Sequence, residues 1–314
     1  MQTKSNTVHL RLIDITTQLN SDLTWLTDPR CVTKKIRSYV ALGDSLSEGL
    51  GDFGFEDNRV HAGWTDRLAT LLAKEATFHG HEFHSANVAI RGAKIADIMG
   101  VQLERALALK PDLVTVMAGQ NDLLSSAENM PKLEAQFRDG IQKLKDSGCT
   151  VIVSNTINPI HLMVFRPLAR LATTMTAMIE RVANQLQVEV HDVHRIESLA
   201  DVAYWAEDMV HFSGPGHIKV ANEAAALLKL SFRLSELDDC EISAPARGIV
   251  GTTRWLVVHV VPFFWRRIRR VSSGDGLEPK LPVLTKYSGR QLDLESAEEF
   301  LPANFGRNDL AKAS

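Results

Sequence analysis

Between residues 38 and 230 the chain alternates five times between a short apolar run of strand character and a longer stretch with apolar residues at helical spacing. The strand-like runs are 39–42, 82–90, 113–117, 150–154 and 188–193; the helical stretches are 63–76, 95–109, 131–147, 167–186 and 215–230. Trp64, Leu68, Leu71 and Leu72 mark the inner face of the first helix, and Ile95, Ile98, Leu103 and Leu107 that of the second. Pro111 closes the second helix, Pro131 sits in the first turn of the third, and Gly148 stops it. Repeated β–α units predict an α/β protein built on a five-stranded, mostly parallel sheet. In such sheets ligands bind at the carboxyl ends of the strands.

A chain of 314 residues can bury a large core, and we divide it into an N-terminal extension (1–37), a central domain (38–232) and a C-terminal extension (233–314). With 45% hydrophobic and 23% charged residues, wholesale disorder is excluded, and a formal net charge of −3 gives no global attraction for nucleic acid. Cys31, Cys149 and Cys240 are too far apart in sequence to read as a disulfide framework or a metal-ligand cluster. His79, His81, His84, His191 and His194 lack paired ligand spacing and read as surface residues. Arg11 and Asp14 interrupt the apolar run near the N-terminus, and no run of about 18 uncharged apolar residues follows, so a cytoplasmic protein is expected. Residues 1–37 read either as an amphipathic helix across 10–26 or as an irregular extension. In the C-terminal extension, 255–271 runs from Trp255 through Phe263, Phe264 and Trp265 into Arg266, Arg267, Arg269 and Arg270. That pattern reads as a helix packed back on the domain, or as a peripheral contact with an anionic membrane surface. The remainder, to residue 314, reads as polar and irregular.

The polar residues that end the strand-like runs carry the chemistry. Tyr39-Val40-Ala41-Leu42 breaks into Gly43-Asp44-Ser45, which places a hydroxyl and nearby backbone N–H groups at the sheet edge. A serine needs a base, and the base an orienting acid; Asp208-Met209-Val210-His211 offers both on one turn, with the carboxylate fixing one ring nitrogen and leaving the other for the nucleophile. An oxyanion needs donors, which the backbone N–H of Gly92 and the side-chain amide of Asn121 can provide. Asp44 and Asp122 read as residues that shape their loops, and His217, Trp64 and Trp205 as packing residues.

Four blocks in order, Gly43-Asp44-Ser45-Leu46-Ser47, Asn87-Val88-Ala89-Ile90-Arg91-Gly92, Gly119-Gln120-Asn121-Asp122 and Asp208-Met209-Val210-His211-Phe212-Ser213, resemble those of the SGNH hydrolases, the GDSL lipase/esterase family, over roughly residues 38–232. The resemblance implies a flavodoxin-like three-layer α/β/α sandwich that works without metal or organic cofactor. It implies Ser45 as nucleophile, His211 as general base and Asp208 as its partner, with the N–H groups of Ser45 and Gly92 and the Asn121 amide as oxyanion hole. The implied activity is hydrolysis of esters, thioesters or acetylated sugars through an acyl-enzyme. Gln120 departs from the small residue more usual at its position, and 255–276 resembles a tail found on a bacterial subgroup of the family.

The substrate expected is therefore a small-molecule carboxylic ester of lipase, lysophospholipase or thioesterase type. A carbohydrate O-acetyl esterase is the alternative within the enzymes, and a non-catalytic membrane- or partner-binding protein acting through 255–271 is the alternative outside them. Pocket walls are expected from loops 50–62, 123–130 and 157–168, with Ile157, Ile160, Leu162, Met163, Val164 and Phe165 forming an apolar acyl site.

Overall fold

The structure, a computed structural model, describes residues 12–14, 36–52, 62–158, 166–234, 274 and 276–287. The aromatic–basic segment 255–271 lies outside the described residues, as do residues 160–165 of the expected acyl site.

Its elements are β1 (Leu12–Asp14), β2 (Ser38–Leu42), α1 (Ser45–Glu48), α2 (Trp64–Phe78), β3 (Phe83–Asn87), α3 (Ile95–Asp97), α4 (Leu103–Leu109), β4 (Leu113–Met117), α5 (Ser126–Asp146), β5 (Thr150–Ser154), α6 (Arg166–Leu186), β6 (Glu189–His191), α7 (Gly214–Leu227), β7 (Phe232–Leu234) and β8 (Leu281–Tyr287). The main sheet has the order β6-β5-β4-β2-β3-β8. Strands β2 to β6 run parallel to one another. Their order is the flavodoxin-like one, in which the winding reverses at the first strand of the sheet. That reversal opens a crevice at the carboxyl ends of β2, β3 and β4, where Ser45, Gly92 and Asn121 follow in the chain.

Alternation along the strands fills two cores, one on each face of the sheet. On β2, Tyr39 and Ala41 join a cluster with Trp64, Leu68 and Leu71 of α2 and Val220 and Ala221 of α7. Val40 and Leu42 point the other way, to Ile98, Leu103, Phe137 of α5 and Met175 and Ile179 of α6. The result is a three-layer α/β/α sandwich. Trp64 and Trp205 are buried in the first cluster.

Four features depart from expectation. A sixth strand, β8, is drawn from the part of the chain read as irregular. It pairs antiparallel with β3, with a register shift between Ser85 and Asn87. Leu12–Asp14 is a strand rather than helix, paired antiparallel with β7. Helix α5 begins at Ser126, so Pro131 lies inside it instead of in its first turn. The stretch 95–109 is interrupted by a π turn over Ile98–Gln102, where Gly100 leaves helical geometry (φ −105°, ψ −107°).

One of the five histidines read as surface residues is not at the surface. His191 is buried and the other four are half-buried. His191 contacts the Ser154 hydroxyl through Nδ1 at 3.0 Å, and burial lowers its pKa from 6.5 to about 4. The unfolded chain therefore takes up a proton on this residue below about pH 6.5, whereas the folded chain resists until about pH 4. The sign is a loss of stability on acidification. In urea titrations, the stability advantage of wild type over His191→Gln is expected to shrink by on the order of 3 kcal/mol between pH 7 and pH 4. An advantage that stays constant with pH would show that His191 protonates freely in the fold.

Candidate active site

Ser45 is half-buried and opens α1, whose N-cap is Asp44. Asp44 Oδ1 accepts from the Leu46 backbone N–H at 3.1 Å, so the residue before the serine, not the serine itself, caps the helix. Gly43 is required at the strand exit. A Cβ there would run into the Ser47 hydroxyl and lie 2.9 Å from the Met117 carbonyl oxygen.

A helix of four residues does not sustain itself, and its carbonyls are held from outside. Ser47 O accepts from the Thr65 hydroxyl at 2.7 Å and from Asn87 Nδ2 at 2.8 Å. Asn87, the asparagine of the second block, also orders its own turn, accepting from Ala89 N at 3.1 Å. Gly92 has φ +75°, in the region favoured by glycine. Its turn is tied to the Ser45 turn on both sides. Ile90 N donates to Gly43 O at 3.2 Å, and the Glu48 carboxylate accepts from Arg91 N at 2.7 Å while pairing with the Arg91 guanidinium.

Asn121 follows β4 and stands between the two turns. Its Nδ2 donates to Asp44 Oδ2 at 3.1 Å and to Ala93 O at 3.0 Å. An oxyanion binding there would take over one of these two bonds. Burial raises the Asp44 pKa to about 6, against the Leu46 hydrogen bond and the nearby His211 charge, which lower it. Asp122 accepts from Ile95 N at 3.0 Å and so joins the third block to the start of α3.

The loop with Asp208 and His211 is a braced turn. Trp205 and Phe212 form a β-bridge at its base, with Ala206 N donating to His211 O and Ser213 N donating to Tyr204 O. Both rings of the bridge are buried, and Met209 at the tip is held at φ +61°, a conformation uncommon outside glycine. Asp208 Oδ1 accepts from the backbone N–H of Val210 at 2.9 Å and of His211 at 3.0 Å, and Oδ2 contacts His211 Nδ1 at 2.5 Å. Because a carboxylate only accepts, Nδ1 carries the hydrogen and Nε2 has a free lone pair when the ring is neutral. Burial pushes the Asp208 pKa up, but His211 outweighs it through hydrogen bond and charge, leaving the carboxyl at about 2.

The His211 loop also meets the chain leaving α1. A Cβ on Gly51 would lie 2.8 Å from His211 Cβ and 2.6 Å from Phe212 O. His217, fully buried, accepts from Trp64 N at Nδ1 and bonds Leu50 O through Nε2. Burial and the Arg67 charge hold it well below its usual pKa, as a neutral cross-link between α7, α2 and the Ser45 loop. The five residues singled out in the sequence thus lie on connected turns at one sheet edge.

One contributor escaped the sequence reading. Gln102, buried at the end of the π turn, accepts from Gly43 N and donates to Gly43 O, both at 2.9 Å. The π turn rotates this side chain toward the glycine that precedes the Asp44-Ser45 pair. Its only sequence signal was a polar residue on an otherwise apolar helix face, two positions after Gly100. Among the described residues, no group of three or more His, Cys, Asp or Glu could hold a metal ion, and no helix is long and apolar enough to cross a membrane.

A family model described as GDSL-like lipase/acylhydrolase matches residues 41–218, more than half of the 314-residue chain. Among solved structures, a catalytic mutant of Axe2, an acetylxylan esterase from Geobacillus stearothermophilus, superposes with a TM-score of 0.51 at 18% identity, covering 62% of this chain and 94% of that one. LAE5, an alpha/beta hydrolase enzyme from the metagenome of Lake Arreo, Spain, does so with a TM-score of 0.51 at 18% identity, covering 62% and 95%. At these identities the likeness is one of fold. The search of curated proteins gave no match. The matched segment contains all four blocks and the turns that join them, and on that ground the chain belongs to the GDSL-like lipase/acylhydrolase family, an ester hydrolase of the SGNH type.

Proposed function

We propose that the chain hydrolyses a small-molecule carboxylic ester through an acyl-enzyme on Ser45, with His211 as general base and Asp208 as its orienting acid. The observation that carries this reading is the Asp208–His211 pair at 2.5 Å, held on a turn that meets the Ser45 loop at Gly51. His211 Nε2 takes the Ser45 proton as Oγ attacks the ester carbonyl, and returns it to the departing alcohol. Water, deprotonated by the same nitrogen, then releases the acid and restores the serine. The oxyanion of each tetrahedral intermediate is received by the N–H groups of Ser45 and Gly92 and by the Asn121 amide.

Asn121→Ala is expected to lower kcat by about 10²–10³-fold with little change in KM, because the amide acts on charge that develops only in the transition state. Steady-state kinetics on a soluble ester check this; an unchanged kcat would remove Asn121 from the hole.

Acetylxylan esterases among the structures of like fold favour an acetylated sugar as a second substrate class. Rates on p-nitrophenyl esters of graded acyl length, set beside acetyl release from acetylated xylooligosaccharides, separate the two. A sharp acetyl optimum together with release from the sugar supports the carbohydrate reading. Turnover that rises with chain length supports the lipase or lysophospholipase type.

A further inference from the structure

We propose that Gly274 and residues 276–287, beyond the segment matched by the family model, form a positioning element of the active site, and that Lys280 is its principal contact. The inference rests on the assignment of Ser45 and Gly92 above.

Ser45 and Gly92 sit on turns that secondary structure alone does not hold. Helix α1 has four residues, and the Gly92 turn is a glycine-containing loop. The two are joined through Glu48, the last residue of α1, whose carboxylate holds both the backbone N–H and the guanidinium of Arg91. The position of Glu48 therefore sets the spacing between two of the oxyanion donors. Its own carbonyl oxygen is one of the orphan acceptors at the end of α1. Lys280 Nζ donates to that oxygen at 2.5 Å and to Asp66 Oδ2 at 2.6 Å, with its side chain only 13% exposed. Asp66 in turn accepts from Gly63 N at 2.7 Å, at the start of α2. One ammonium, 232 residues from Glu48 in sequence, thus locks the nucleophile helix to α2.

A second contact reaches the Gly92 turn directly. A Cβ on Gly274 would collide with the Arg91 carbonyl oxygen and lie 2.6 Å from Ile90 Cγ2, so the glycine backbone lies flat on that turn. The rest of the segment is anchored by contacts of its own. Glu278 pairs with Arg105 at 2.9 Å, β8 pairs with β3, and the Tyr287 hydroxyl bonds Thr70 Oγ1 at 2.7 Å. Anchors along the segment and contacts at both turns are what a positioning element requires.

The test uses the full chain. Lys280→Met removes the ammonium but keeps the stem, Lys280→Arg keeps a cation, and Gly274→Ala loads the Gly92 turn independently. The number of competent sites is first counted with a fluorophosphonate, and kcat is expressed per labelled site, so unfolded protein does not count. Lys280→Met and Gly274→Ala are expected to lower kcat per labelled site by about 10–100-fold with KM within about twofold, the size that small misplacements of catalytic groups produce. Lys280→Arg is expected to recover most of it. A wild type that labels at Ser45, with kcat per site unchanged in Lys280→Met and Gly274→Ala, overturns the proposal alone. A wild type that does not label at Ser45 overturns the assignment on which it rests, and the proposal with it.

Discussion

Replacing Ser45 by alanine is expected to lower ester turnover by about 10⁶-fold, the loss seen when a serine nucleophile is removed from a triad that acts as a unit. The hydroxyl supplies the bond-forming atom. The change costs the fold little. The N-cap bond of α1 comes from Asp44, not Ser45, and alanine is at least as good a helix former. Thermal unfolding should coincide with wild type while hydrolysis of a p-nitrophenyl ester disappears. A small residual rate is expected, because the donors around the oxyanion remain. A variant as active as wild type would mean that another group attacks the ester.

Asp208→Asn is expected to lower kcat by about 10⁴-fold at neutral pH. The two oxygens of Asp208 have different duties. Oδ1 accepts from two backbone N–H groups and Oδ2 from His211 Nδ1. An asparagine would keep its oxygen toward the two backbone donors, leaving its NH₂ facing Nδ1. That arrangement favours the tautomer with the hydrogen on Nε2, where it cannot accept the serine proton. The effect is therefore one of proton position rather than of loop structure, and it should appear in kcat with KM nearly unchanged. Because the Asp208 carboxyl lies at about 2, below its ordinary 3.8, it stays ionised at any working pH. Its contribution to folding is complete above about pH 3.8 and is lost as the pH falls toward 2. A KM that rises while kcat holds would show that Asp208 shapes binding instead.

What the sequence disclosed depended on how far apart the interacting residues lie. Gly43, Ser45, Gly92 and Asn121 were legible because each ends an apolar strand, and Asp208 and His211 because they are three residues apart on one turn. That the strands run parallel followed from the β–α alternation. Gln102 and Lys280 were not legible, because their partners are 59 and 232 residues away, and no local pattern encodes such a pairing. In β8, Leu281, Val283, Thr285 and Tyr287 alternate with Pro282, Leu284 and Lys286, a weak strand signal. A proline and a lysine read as loop, yet both suit an edge strand, and an edge is where β8 lies. Pro131 resembles a first-turn signal in the sequence, whereas α5 carries it in its interior, five residues after its start at Ser126.

The most direct test of the account is to find where a fluorophosphonate attaches. After brief labelling at neutral pH, peptide mapping should locate the adduct on Ser45 alone. Labelling should be lost in Ser45→Ala and slowed by orders of magnitude in His211→Ala, since the base is needed to activate the hydroxyl. An adduct on any other residue, or labelling of Ser45 at the same rate with and without His211, would contradict the account.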